Sequence, residues 1–183
     1  MKPIFLIGYM GSGKTTLGHA LEQTADVRFI DLDEYIEVTH GATVSDIFAD
    51  RGEDGFRKLE RDALRVVADM DNVVIACGGG TPCFFDNMEF MNEAGLTIWL
   101  DVSMERLIPR LILGRAKRPL LAGKSDDELL HFVYNALEAR RPFYSGAQSV
   151  FCSDFLENQE EIDRTVAEFV NRYSLPIKSD CKI

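Results

Sequence analysis

Histidine is scarce in this chain, at three residues in 183, and tryptophan occurs once. The four cysteines (Cys77, Cys83, Cys152, Cys181) include no Cys-x-x-Cys pair, and His19, His40 and His131 stand at no zinc-ligand spacing from them. A zinc centre is therefore excluded, and the remaining reading is a reduced, cytoplasmic protein with free thiols. Long apolar runs are missing too. The longest uncharged stretch, 72–85, is too short and too glycine-rich to span a membrane. The apolar start at residues 4–7 runs into glycines and Lys14 with no small-residue cleavage site, which argues against a secretory leader. The end, Cys181-Lys182-Ile183, is one residue short of a prenylation box. Basic residues are outnumbered: 20 Lys and Arg against 30 Asp and Glu leave a net charge of −10. A broad nucleic-acid face is excluded, because such faces are basic. A local convergence of arginines on a small anion is not. The expected partners are small molecules, with no nucleic acid and no membrane, and the chain is expected to act as a monomer.

What is present suits a soluble α/β domain. Apolar residues make up 46% and charged residues 27% of the sequence, enough for a core without staples. Short apolar runs at 4–7, 28–31, 73–77, 96–100 and 149–152 predict five strands. Helical stretches fall between them. Residues 46–70 form a long charged one, and Ser103 opens another. Ser125-Asp126-Asp127-Glu128 reads as a capping box, and Ile162, Val166, Phe169, Val170 and Tyr173 share one helical face. Alternation of strands and helices predicts a three-layer αβα fold around a five-stranded parallel sheet. One domain is expected over 1–178, carrying a substrate-binding region at about 32–61 and a lid at about 113–124, with 179–183 as a flexible tail.

Gly8-x-x-x-x-Gly13-Lys14-Thr15 directly follows the first strand. This is the spacing of a loop that cradles the phosphates of a nucleoside triphosphate. Backbone N–H groups from Gly11 to Thr16 would face the phosphates, with the N-terminal end of the next helix adding partial positive charge. Lys14 would reach the outer phosphates and the Thr15 hydroxyl a magnesium ion. A dinucleotide-binding fingerprint fits less well, because Thr16 stands where its third glycine belongs.

Other patterns lie elsewhere along the chain. Asp31-Leu32-Asp33 ends the second strand, and alternation along a strand would aim both carboxylates into one cleft. Asp33 is equally placed to cap the next helix. Phe56-Arg57-x-x-Glu60 sets a guanidinium and a carboxylate one helical turn apart, as an oriented anion ligand or as a surface ion pair; Phe48 and Phe56 read as apolar wall or core. Gly78-Gly79-Gly80 permits close approach of backbone to a ligand, or a flexible turn. Residues 114–123 have glycine at both ends and a basic middle, which suits a mobile lid, although Arg115 and Lys117 read equally as solvated charges. Arg140 precedes Pro142, which is expected to end its helix, and a cation is favoured there in any case.

Taken together, the phosphate loop, Asp31-x-Asp33, Phe56-Arg57-x-x-Glu60, the glycine triplet, Arg118-Pro119-Leu120-Leu121 and Arg140-x-Pro142-x-Tyr144-x-x-Ala147 resemble the shikimate kinases, from about residue 4 to about residue 172. The resemblance implies an ATP-dependent enzyme that phosphorylates the 3-hydroxyl of shikimate, with magnesium and ATP. It implies Lys14, Asp33 and Arg118 as catalytic residues. Gly11, Ser12, Gly13, Lys14, Thr15, Thr16, Arg110 and Arg118 would hold the nucleotide, and Thr15 and Asp31 the metal. Asp33, Arg57, Gly78, Gly79, Gly80 and Arg140 would hold shikimate. A related kinase of another small hydroxy acid, such as gluconate, shares the loop and lid but gives no reason for the paired arginines and glycine triplet. A hydrolysing nucleotide switch lacks its Asn/Thr-Lys-x-Asp guanine-reading motif here. Tyr9 stands where the family often has a small residue or proline, and Ser12 where alanine is common.

Overall fold

The computed structural model describes residues 1–115 and 119–178. Its centre is β1, Ile4–Ile7, whose four residues are all buried because both faces of the strand are covered. Side-chain alternation divides them. Phe5 and Ile7 enter one apolar layer, Ile4 and Leu6 the other. β3 (Val73–Ala76) and β4 (Leu96–Asp101) flank β1, with Ile4 opposite Val74 on one side and Leu96 on the other. β2 (Arg28–Asp31) and β5 (Ser149–Cys152) complete a sheet of order β2-β3-β1-β4-β5, all parallel.

Seven α-helices cover this sheet among the described residues. α1 (Lys14–Thr24) and α7 (Gln159–Tyr173) pack on the face that Leu6 enters. The other layer holds α2 (Leu32–His40), α3 (Val44–Ala68), α4 (Asn87–Ala94), α5 (Met104–Leu113) and α6 (Asp126–Tyr144). The five strands fall where the apolar runs place them; β3 stops one residue early and β4 runs one residue longer. No helix among the described residues is long and apolar enough to cross a membrane.

Three local expectations are corrected. α3 begins at Val44 rather than Asp46, because Thr43 and Asp46 form a reciprocal capping box, and it kinks at Gly52, whose φ of 66° and ψ of −177° are non-helical. Pro142 does not end α6, which continues to Tyr144; so close to the C-terminus the missing N–H removes one hydrogen bond from the last turns. Ser103 occupies the N-cap position of α5 without a side-chain cap bond, and its own N–H donates to the Asp154 carboxylate at 2.7 Å. The Ser125 capping box forms as expected. Beyond α7, the chain folds back on the turn after α1: Asp26 N–H donates to the Pro176 carbonyl at 2.7 Å, and Lys178 N–H to that of Thr24 at 3.1 Å. Residues 179–183, expected as a flexible tail, lie outside the described residues.

Gly18 shows how tightly α1 sits on the sheet. A Cβ there would fall 2.0 Å from Cε2 of Phe29, whose ring is held edge-on by His19. Gly18→Ala is therefore expected to lower the unfolding free energy by about 1–3 kcal/mol through overpacking, measured by urea denaturation. An unchanged midpoint would show that Phe29 has room to move.

Candidate active site

The turn from β1 into α1 uses conformations that few side chains tolerate. Gly8, Gly11 and Gly13 have φ of 142°, 83° and 91°. At Gly13, the N-cap of α1, a Cβ would also fall 2.3 Å from Leu156. The Lys14 ammonium folds back along the loop and donates to the carbonyls of Gly8 at 2.7 Å and Tyr9 at 2.9 Å. Ser12 is buried and its N–H closes the turn on the Tyr9 carbonyl at 3.1 Å. The loop opens on a cleft of about 430 Å³, lined also by Thr16, Asp31, Asp33, Gly78, Gly79 and Arg110.

The two carboxylates meet in this cleft by a different route from the one alternation suggests. Asp31 is the last residue of β2 and Asp33 lies in the first turn of α2. Asp31 itself is the cap: its Oδ1 accepts from the Asp33 N–H at 3.1 Å, and its Oδ2 from the Thr15 hydroxyl at 2.9 Å. Burial, then the Asp31 and Glu60 carboxylates, push the Asp33 pKa up to about 6, against the pull of Lys14 and Arg57. Burial brings Lys14 down to about 8, against the pull of Asp33 and Asp31.

Arg57 is braced on several sides. Its Nη1 donates to Glu60 Oε2 at 2.8 Å, its Nη2 to Glu53 at 3.2 Å, and its guanidinium carbon lies 4.1 Å from the Phe84 ring centre and 5.3 Å from that of Phe56. Phe48 stacks on Phe56, so both aromatic residues line this arginine. Glu60 is fully buried, and its second oxygen accepts from the Thr81 hydroxyl at 2.5 Å. The surface ion pair that spacing alone allows is thus a buried, oriented one.

The glycine triplet explains how these charges come together. None of its residues has positive φ, so chain flexibility is not what they supply. Space is. A Cβ on Gly78 would lie 2.9 Å from Glu60 Oε1 and 3.3 Å from Asp33 Oδ1. One on Gly79 would lie 3.1 Å from Arg140 Nη1, and one on Gly80 2.7 Å from Arg57 Nη2. The Tyr144 hydroxyl pins the strip by donating to the Gly79 carbonyl at 2.6 Å.

Arg140 stands half-buried beside Gly79 and makes no ion pair among the described residues. Arg110 lines the cleft from α5, held by the carbonyls of Asp154 at 2.6 Å and Ser153 at 3.0 Å and by Glu157 at 3.1 Å. Arg115 ties the end of α5 to the start of α6: it donates to the Lys124 carbonyl at 2.8 Å and pairs with Asp126. Its reading as a solvated charge is corrected. Arg118 and its neighbours 116–117 lie outside the described residues. No histidine lines the cleft among the described residues, and Cys77 is buried against Met91 with its thiol pushed up by burial. Thr81, Phe84 and Tyr144 were not singled out as site residues by sequence reasoning. Tyr144 carried a signal, since it sits in the same pattern as Arg140; Thr81 and Phe84 carried none, because their contacts with α3 are tertiary.

A family model described as shikimate kinase matches residues 10–171. The chain is 53% identical over 166 residues to the shikimate kinase of Phocaeicola vulgatus, covering 91% of this chain and 95% of that one. It is 49% identical over 176 residues to that of Bacteroides fragilis, covering 96% and 98%. Among solved structures, the shikimate kinase of Bacteroides thetaiotaomicron superposes with a TM-score of 0.89 at 50% identity, covering 94% of this chain and 98% of that one. That of Acinetobacter baumannii, in complex with shikimate, superposes at 0.78 with 30% identity, covering 95% and 94%.

The electrostatics of Asp33 have a measurable consequence. Its folded pKa of about 6 lies above the ordinary 3.8, so the folded state binds more protons between those values and stability falls as pH rises through that window. Above pH 6 the ionised carboxylate opposes folding. Asp33→Asn is expected to raise the unfolding free energy by about 1–2 kcal/mol at pH 7.5, with the gain vanishing towards pH 4, as followed by denaturant unfolding at the two pH values. An Asn variant less stable at pH 7.5 would show that the carboxylate is held by its cationic neighbours instead.

Proposed function

The chain belongs to the shikimate kinase family, and on that premise we propose how its residues divide the work. The enzyme transfers the γ-phosphoryl group of ATP to the 3-hydroxyl of shikimate, giving shikimate 3-phosphate and ADP. The observation that carries the assignment of residues is the pair of guanidiniums, Arg57 and Arg140, set over Gly80 and Gly79, with Asp33 beside Gly78 and Lys14 across the cleft.

The acceptor carboxylate is taken by Arg57 and Arg140, whose planar forks suit it. The backbone of Gly78, Gly79 and Gly80 forms the floor. Asp33 receives or orients the proton of the attacking hydroxyl. That oxygen forms a bond to the γ-phosphorus while the bond to the β–γ bridging oxygen breaks, and ADP leaves. Gly11, Gly13, Thr15 and Thr16 hold the phosphates through their N–H groups, whereas the Ser12 N–H, expected to join them, is turned inward onto the Tyr9 carbonyl and braces the loop instead. Lys14 swings from the Gly8 and Tyr9 carbonyls to the transferring group, and Arg118 in the lid neutralises charge on it. Arg110 supports the nucleotide end of the cleft.

The Thr15 hydroxyl and Asp31 carboxylate, 2.9 Å apart, fit magnesium, which takes oxygen ligands and keeps waters and substrate phosphates around it. Among the described residues no cluster of three or more His, Cys, Asp or Glu competes for a metal. When bound, magnesium offsets phosphate charge. In this reading residues 1–178 form one domain with an acceptor-binding region at 32–61 and a lid at 113–124. It works as a monomer in this reading. A reducing cytoplasm suits its free thiols Cys77, Cys83 and Cys152.

Coupled ADP release with Mg·ATP tests the assignment. Turnover is expected to require shikimate, with gluconate and no acceptor both at background. Arg57→Ala is expected to raise the KM for shikimate about 10- to 100-fold, the worth of a charged hydrogen bond, with the KM for ATP nearly unchanged. Turnover with gluconate alone would reassign the acceptor. The pKa shifts add a pH signature: kcat/KM for shikimate is expected to fall below about pH 6 as Asp33 protonates, and kcat/KM for ATP above about pH 8 as Lys14 loses its proton. Profiles flat from pH 5 to 9 would remove both residues from these roles.

A further inference from the structure

The two arginines are held in different ways. Arg57 has Glu60, Glu53 and a set of phenylalanine rings around it. Arg140 has no carboxylate partner among the described residues; the Tyr144 hydroxyl, one turn on, accepts a hydrogen bond from it, and its guanidinium stands beside Gly79. A single hydrogen bond at one edge leaves the plane of a long side chain free to turn unless something also packs on its face. Its packing partner is Tyr9, whose ring centre lies 5.3 Å from the Arg140 guanidinium carbon, within the range of a cation–π contact.

We propose that Tyr9 is a positioning residue, its ring fixing the Arg140 guanidinium against Gly79 so that it faces the acceptor carboxylate. The inference rests on the reading of Arg140 as a carboxylate ligand. Tyr9 is 1% exposed, so its ring is itself held rigidly. Its position in the chain joins the two halves of the site. The Tyr9 carbonyl accepts from Lys14 and from the Ser12 N–H on the phosphate side. The backbone on either side of it, Gly8 O and Met10 N, meets Gly79 where Arg140 does. A small residue or proline at this position leaves no ring for the guanidinium to rest on. The Tyr9 hydroxyl is buried with no hydrogen-bond partner among the described residues, and the guanidinium lies over the ring, so the ring face, and not the hydroxyl, is what Arg140 uses. The ring excludes water from one side of the guanidinium without neutralising its charge, which leaves that charge for the substrate. A carboxylate in the same place would compete with shikimate.

Steady-state kinetics with both substrates test this. Tyr9→Leu is expected to raise the KM for shikimate about fivefold, in the range of a partly desolvated cation–π contact, with the KM for ATP within about twofold of wild type. Tyr9→Phe is expected to restore the wild-type KM and to unfold at a higher temperature, because it deletes a buried unpaired hydroxyl. In an Arg140→Ala background, Tyr9→Leu is expected to add no further rise. Should Tyr9→Leu fail to fold, Tyr9→pentafluorophenylalanine, which inverts the ring's charge distribution at nearly the same shape, is expected to reproduce the rise. A Tyr9→Phe variant as impaired as Tyr9→Leu, a rise in the KM for ATP as large as that for shikimate, or additivity in the Arg140→Ala background would each overturn the proposal. Arg140→Ala with an unchanged KM for shikimate would remove the reading beneath it, an outcome separate from any result at Tyr9.

Discussion

A strip of backbone without side chains sets the geometry of this cleft. Gly78, Gly79 and Gly80 follow the buried strand β3, and each leaves room for a different charged group: Glu60 and Asp33, Arg140, and Arg57. Any Cβ on the strip would displace one of them by steric contact alone. The strip is fixed in turn, by the Tyr144 hydroxyl on the Gly79 carbonyl and by the Thr81 hydroxyl on Glu60. Glycine is usually chosen for conformational freedom, but none of these three residues has positive φ. What they supply is proximity.

Proximity of this kind carries an electrostatic strain. Burial, and then the Asp31 and Glu60 carboxylates crowded beside it, raise the Asp33 pKa towards neutrality, while burial lowers that of Lys14. Local partners offset the strain: Lys14 rests on carbonyls of its own loop, and Asp31 is spent on the cap of α2 and on Thr15. Phosphate and metal would replace these internal partners with stronger ones. The acceptor side is arranged differently. Among the described residues Arg57 is ion-paired and Arg140 is not, so one guanidinium brings orientation and the other brings net charge.

Much of this was legible in the sequence, for physical reasons. Strands buried on both faces appear as unbroken apolar runs, so all five were placed within a residue at their ends. The phosphate loop is local: its dihedrals, its lysine and its following helix are written in eight consecutive residues. The Ser125 box is local too. Where a neighbouring rule competed, the reading slipped. Alternation along a strand was applied to Asp33, although the helix begins one residue after Asp31. A proline reads as a helix stop, yet so near a helix end Pro142 removes only one bond.

Composition and local pattern thus determined the fold class, the nucleotide loop and the set of charged residues available for chemistry, because each of these depends on neighbours a few residues away. Which of those charges meet was decided by the tertiary structure. Phe84 under Arg57, Thr81 on Glu60 and Tyr9 against Arg140 join residues 27, 21 and 131 positions apart in the chain. No periodicity records such contacts. They exist because a parallel sheet brings the ends of β1, β2 and β3 to one edge, and because α3 and α6 lean over that edge with their arginines.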